Sequence, residues 1–322
     1  MSVAEPSAGP IARARARVRT VSPETFRVLA LVALASLFVV VVTGAVVRLT
    51  ASGLGCDNWP RCGQTPFPEK DFHALVEFGN RVVALVAMGC TILAAVASRR
   101  VEGLPRYLRT GSAVVAVAIV AQIPLGGLTV IFDLNPVLVM SHFFLALAAV
   151  GLAVVVALGA DRFVRGAPAT ALPWWLGWLA LGLVPVNLAV VVTGALSSAA
   201  GPHSGGSDIK RIGILQDAVY VHVRATAVFG VGFLLLLCAL WLTRAAARAE
   251  LLLGAGVLGL LLTQMAVGEI QWRNALPWWL VLIHVGLATA VWSGVVALAA
   301  RIWTHPRAEW AHAVTLPRVF SR

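Results

Sequence analysis

Eight apolar runs of roughly twenty residues limit what this chain can become. They cover approximately 28–47, 74–97, 111–131, 138–159, 173–194, 217–242, 251–268 and 278–301. Each is about the length that crosses the hydrocarbon of a bilayer as a helix. Inside lipid the backbone must satisfy its own N–H and C=O groups, so runs this long and this apolar predict helices rather than strands. With 59% of 322 residues apolar and only 12% charged, a water-soluble enzyme is excluded. The expected fold class is an all-α membrane protein with eight transmembrane helices.

The net charge of +11 reads as topology, not as a nucleic-acid footprint. Most of the basic residues fall in alternate connections: Arg13, Arg15, Arg17, Arg19 and Arg27; Arg99, Arg100, Arg106 and Arg109; Arg162 and Arg165; Arg244 and Arg248; Arg301, Arg307, Arg318 and Arg322. Basic connections stay on the cytoplasmic side, which predicts a multi-pass protein of the cell membrane with both termini cytoplasmic. Residues 1–27 are rich in Ala, Arg and Pro and lack the apolar stretch of a cleavable signal. They read as a disordered basic tail against anionic headgroups, and 303–322 as a second cytoplasmic tail.

The chain also repeats itself. Gln122, Gly126 and His142 recur as Gln264, Gly268 and His284, each 142 residues later, and the same offset carries Asn80 onto His222. A second echo, Val40-Val41-Val42-Thr43-Gly44-Ala45 against Val190-Val191-Val192-Thr193-Gly194-Ala195, has an offset of 150. Four spans in each half give both halves the same orientation. The expected architecture is two tandem four-helix bundles, 28–165 and 166–302, related by a pseudo-two-fold axis along the membrane normal. The eight-residue difference in offset lengthens the first outer loop, a cysteine-bearing segment at 48–72.

Asn80, His142, His222 and His284 each fall five to seven residues into spans two, four, six and eight, roughly 10 Å below the outer surface at 1.5 Å per residue. An ionisable ring in lipid is costly and points to function. His222 and His284 read as the two axial ligands of a haem iron, against the plainer alternative of two polar residues bonding between helices. His142 is the matching residue in the first half, but its partner position holds Asn80, a poor iron ligand. That site is expected to be five-coordinate. Zinc is disfavoured, because only Cys56, Cys62 and His73 lie near one another in sequence.

Glu77 lies one turn outward from Asn80 on the same helix face. It reads both as an i,i+4 ion pair with Arg81 and as a proton donor or acceptor beside a reacting group. Cys56 and Cys62 are close enough to form a disulfide outside the membrane, either a structural staple or a redox pair. Cys90 and Cys238 read as packing residues. Arg48, Arg81 and Arg224 near the outer span ends suit haem propionates or snorkelling to headgroups. His203 is expected to be solvent-accessible and no ligand, and His305 and His312 incidental in the tail.

Taken together, Gly44-Ala45-Val46-Val47-Arg48-Leu49-Thr50 with Ser52-Gly53-Leu54, the Cys56–Cys62 loop, Glu77-Phe78-Gly79-Asn80-Arg81, Gln122 to His142 with Gly126-Gly127-Leu128-Thr129, Gly201-Pro202-His203, and Gln264 to His284 resemble the haem A synthase family. The resemblance covers nearly all of 40–300. It implies eight helices in two bundles, an oxidoreductase, and stepwise oxidation of the C8 methyl of haem O to a formyl group for cytochrome oxidase biogenesis. It implies a haem b cofactor on His222 and His284 that relays electrons. The substrate haem would lie at His142, Asn80, Arg81 and Arg48, with Glu77 as the acidic catalytic residue. Where this family usually has Glu-x-x-His-Arg, the chain has Asn80 in place of the histidine. Haem O synthase is a candidate partner, and the electron donor is left open. The alternatives are a two-haem cytochrome b-type quinol oxidoreductase, which would want two six-coordinate irons and no adjoining carboxylate, and a transporter built on parallel repeats.

Overall fold

The structure, a computed structural model, describes residues 20–56, 59–62, 67–68, 70–166, 170–203, 205, 209 and 211–308. Most of the N-terminal tail, and the C-terminal tail beyond residue 308, lie outside this set. Eight helices are long and apolar enough to span a membrane: α1 (Pro23–Leu49), α2 (Phe72–Ser98), α3 (Arg106–Ile131), α4 (Pro136–Arg165), α5 (Trp174–Ala200), α6 (Leu215–Leu242), α7 (Arg244–Arg273) and α8 (Trp278–Trp303). All eight predicted spans are present, mostly longer than their apolar runs. Polar caps and loop residues extend them beyond the hydrocarbon. Ser22, Asp71 and Asn135 each accept a backbone N–H at a helix start, so residues 23–27, expected in the tail, belong to α1, and Phe26 is fully buried.

Within the first half, α1 and α3 each pack against both α2 and α4, which places α2 and α4 across a diagonal. In the second half α5 and α7 pack in the same way against α6 and α8. The helices that carry Asn80 and His142, and those that carry His222 and His284, therefore confront each other diagonally. The repeat also reaches the backbone. The α3–α4 turn puts Asp133 and Leu134 in the left-handed region, and the α7–α8 turn does the same with Ala275 and Leu276. Each turn is closed by an equivalent hydrogen bond, Leu134 N to Thr129 O (2.7 Å) and Leu276 N to Gln271 O (2.8 Å).

The apolar core is not spread evenly along the helices. In the second half it is built from residues such as Leu176, Phe229, Phe233, Val257 and Leu298, toward the end away from the Cys56–Cys62 loop. Toward the loop end, none of residues 137–146, 216–228, 262–272 or 281–288 is buried. The histidines lie in these loosely packed segments.

The halves meet where α8 packs on α4 and α1. Trp292 donates its indole N–H to Leu147 O (2.9 Å), and a Cβ on Gly151 would stand 3.2 Å from that nitrogen. In lipid, close packing at small residues rather than hydrophobic transfer drives such association. At the loop end the connections interlock: Arg48 Nε donates to His203 O (3.0 Å), Gly53 N to Gly205 O (3.2 Å), and His203 Nε2 lies 2.7 Å from Leu276 O. His203 is therefore half-buried and engaged, not freely solvated.

At the opposite end the C-terminal segment is more ordered than expected. His305, taken as incidental, is buried, with Nδ1 2.9 Å from Thr170 O and Nε2 3.2 Å from Glu250 Oε1. Glu250, 2% exposed, also receives Arg301 (2.8 Å). A two-residue parallel pairing of β1 (Leu172–Pro173) with β2 (Arg307–Ala308) fastens the same segment. The start of the expected tail is thus packed, because the buried Glu250 carboxylate has to be paired and draws Arg301 and His305 onto it. Cys238 is also corrected: it is exposed on α6, not packed inside.

Gly151→Val should push Trp292 aside and lower the thermal midpoint in detergent by several degrees, in line with overpacking costs of about 1–3 kcal/mol. Gly256→Ala, where nothing lies within 4 Å, should leave the midpoint unchanged or higher.

Candidate functional site

His222 and His284 face each other across the second half with ring centroids 6.4 Å apart and planes at 75°. His222 Nδ1 lies 3.1 Å from both Val190 O and Thr193 Oγ1 on α5, which leaves Nε2 as the nitrogen free to act as a ligand. A carbonyl holding the far N–H is the usual support of a metal-binding imidazole. His284 Nδ1 is buried without a hydrogen-bond partner. Each ring rests on a glycine: a Cβ on Gly194 would stand 3.0 Å from His222 Cε1, and one on Gly268 3.1 Å from His284 Cε1. No larger residue could stand there without moving the ring.

The first half repeats the pattern with one change. A Cβ on Gly126 would lie 3.2 Å from His142 Cε1, Gln122 Nε2 donates to His142 O (3.0 Å), and His142 Nδ1 is buried without a partner. Opposite stands Asn80, whose Oδ1 accepts from Thr43 Oγ1 (2.7 Å), with Gly44 alongside. Thr43, Gly44, Thr193 and Gly194 belong to the Val-Val-Val-Thr-Gly-Ala echo. The sequence displayed these residues as a repeat, but only the packing shows that they support Asn80 and His222.

Glu77 is 5% exposed. Its Oε1 pairs with Arg81 (2.5 Å), and its Oε2 accepts the backbone N–H of Cys56 (2.8 Å). Arg81 also donates to Pro60 O and Arg61 O. The expected ion pair exists, and the carboxylate is buried three residues from Asn80 on one helix face. Cys56 and Cys62 are disulfide-bonded. Their loop lies over the start of α2, where a Cβ on Gly55 would collide with the backbone of His73. The loop reaches across to α3, where the Trp59 indole covers Gly127, one residue from the glycine under His142. His73 itself bonds Ser52 (2.9 Å), away from the ligand positions. Arg224 stacks on Tyr220 and Arg48 serves the interlocked loops, so the three arginines expected at propionates already have protein partners.

Among the described residues no three His, Cys, Asp or Glu side chains gather as an ion cage. The donor set is instead one or two imidazoles per half. That suits an iron whose other ligands come from a porphyrin. Two imidazoles bound on opposite sides of one metal at about 2.0–2.1 Å have ring centres roughly 6 Å apart, close to the spacing of His222 and His284. The residues fit haem.

Residues 27–296 match the profile of a family described as cytochrome oxidase assembly protein, COX15-CtaA. The chain belongs to the COX15-CtaA family. Proteins named haem A synthase resemble it: one from Symbiobacterium thermophilum is 29% identical over 288 residues, covering 84% of this chain and 92% of that protein. One from Geobacillus thermodenitrificans is 31% identical over 134 residues, 42% of each chain. One from Geobacillus kaustophilus is 32% identical over 107 residues, 33% of this chain and 34% of that protein. The aligned part therefore spans about a third to two fifths of the two Geobacillus relatives and nearly all of the Symbiobacterium one. The matched residues take in Asn80, His142, His222, His284 and the disulfide loop.

Denatured without reductant, the protein should offer two thiols to an alkylating reagent, Cys90 and Cys238. After reduction it should offer all four cysteines, as read by mass spectrometry. Four reactive thiols before reduction would contradict the Cys56–Cys62 bond.

Proposed function

We propose that this protein is a haem A synthase of the cell membrane, an oxidoreductase that converts the C8 methyl of haem O to a formyl group. The observation that carries the reading is the pair of diagonal imidazole sites, each seated on glycine. One of them has lost its second imidazole and gained a buried carboxylate. The two halves are proposed to be tandem bundles related by a two-fold axis along the membrane normal. The disulfide end lies outside and the arginine-rich end in the cytoplasm.

In this account His222 and His284 hold haem b, which when bound supplies one-electron transfer. The Val190 carbonyl and Thr193 fix the tautomer and plane of His222, so that a single ring nitrogen is presented. His142 holds the substrate haem O, with Gly126 allowing the imidazole to lie close to α3. Each of two hydroxylations places one oxygen atom of dioxygen into a C–H bond of the methyl group, the other atom leaving as water with two protons and two electrons from an outside donor, and the resulting gem-diol loses water to leave the aldehyde. That last step needs a proton removed from one hydroxyl and a proton delivered to the other as it departs. Glu77 can do both through a carboxylate oxygen. Its hydrogen bonds to Arg81 and Cys56 N hold the carboxylate in place at the rim of the site, and Arg81 and Arg48 would serve propionates by exchanging their present partners. Haem O arrives from the membrane, where a haem O synthase is a fitting supplier.

A two-haem electron carrier would gain nothing from an amide at one ligand position or from a carboxylate beside it. Asn80 and Glu77 therefore favour the enzyme.

Co-expression with a source of haem O should yield haem A among the extracted haems, resolved by chromatography; haem B and haem O alone would end the enzymatic reading. Glu77→Gln should cut conversion at least a hundredfold, the usual scale for a positioned acid–base group, while bound haem b persists. Undiminished conversion would reduce Glu77 to a partner of Arg81.

A further inference from the structure

The two halves differ at one ligand position, and the hydrogen bonds around that position differ in direction. In the second half, Thr193 Oγ1 has two carbonyls of its own helix to take its proton, Ala189 O and Val190 O, both at 2.9 Å. It is then free to accept from His222 Nδ1. In the first half, Thr43 Oγ1 is 2.7 Å from Asn80 Oδ1 and 3.2 Å from Val40 O. A hydroxyl has one proton, and here the nearer acceptor is the amide oxygen. An amide carries its oxygen and nitrogen on opposite sides of Cγ. With Oδ1 held by α1, the Nδ2 protons turn away from Thr43, and nothing among the described residues accepts them. Asn80 lies on α2, and α2 confronts α4 and His142 across the diagonal.

We infer that Asn80 is a hydrogen-bond donor, oriented by Thr43, on the face of the first-half site opposite His142, and that this face takes a small ligand able to accept a hydrogen bond. Resting on the proposal that His142 holds a haem, this assigns Asn80 a role other than that of a weak ligand. Thr43 and Asn80 together replace an imidazole by a neutral N–H aimed at whatever occupies the sixth position. Donors placed there are one of the protein's means of deciding between oxygen chemistry and simple electron transfer. Thr43 is a positioning residue, acting through the amide it holds.

The test uses the full-length protein loaded with ferric haem b and titrated with azide, followed by absorption and electron paramagnetic resonance. Two haems per chain are expected, one low-spin and silent to azide, the other high-spin and converted to low-spin by it. Asn80→Val should weaken azide binding about tenfold, the scale of one lost hydrogen bond. Binding of imidazole, which presents no acceptor once coordinated, should not weaken. Thr43→Val should weaken azide in the same sense, with recovery in Thr43→Ser. Asn80→His should be low-spin without added ligand. Should Asn80→Val fail to hold the second haem, the Thr43 pair carries the test, since Asn80 is then intact. Wild-type azide affinity in Thr43→Val or Asn80→Val with both haems bound would overturn the donor role and leave the proposed function standing. A wild-type protein that binds one haem, or two that both ignore azide, would instead remove the first-half haem site on which the inference rests.

Discussion

Everything in this structure turns on how a polar ring is kept inside a helix that faces hydrocarbon. An imidazole in lipid has to spend both nitrogens well, because neither can fall back on water. The second half solves this by dividing the ring. Nδ1 of His222 is given to a carbonyl and a threonine of α5, and the other nitrogen is left free for the metal of the proposed function. A glycine under each ring lets the supporting helix come close enough for that to happen. The loosely packed loop ends of the helices follow from the same requirement, since a core filled with Leu and Phe at that level would leave no room beside the rings.

The first half is the same device with parts exchanged, and in the proposed function those exchanges serve the chemistry. Its helices, its left-handed turn and its glycine under His142 match those of the second half, whereas its loop, its carboxylate and its Asn80 do not. Those departures are connected. The Cys56–Cys62 loop donates a backbone N–H to Glu77, Arg81 ties both Glu77 and the loop carbonyls, and Trp59 carries the loop over to Gly127 beside the His142 site. One half therefore reads as an electron-transfer site and the other as a reaction site, with α8 packed on α4 and α1 joining them.

Much of this was legible in the residues. The eight spans followed from run length, and the facing positions of His142, His222 and His284 from an internal offset that repeats Gln, Gly and His. Glu77 with Arg81, and the cysteine pair, were visible from spacing. The supports were not. Thr43 and Thr193 look like ordinary helix threonines until the neighbouring helix is in place, and their repeat has an offset of 150 rather than 142, so the residues that pair across the site do not share one alignment. His305 was misjudged for a similar reason. Its partner Glu250 is 55 residues away, and a histidine just past a helix end gives no sign that a buried carboxylate waits for it. Loop contacts such as Arg48 with His203 depend on how the two halves meet, which no local pattern encodes.

The central claim is that His222 and His284 grip one porphyrin iron between them. The absorption spectrum of the purified protein measures this directly. The wild type should show the sharp reduced bands of a low-spin b-type haem, and His222→Ala and His284→Ala should each lose them while the protein still folds and inserts. Persistence of the same low-spin spectrum in both variants would contradict the account, because no other pair of imidazoles among the described residues stands within ring contact of each other in the second half.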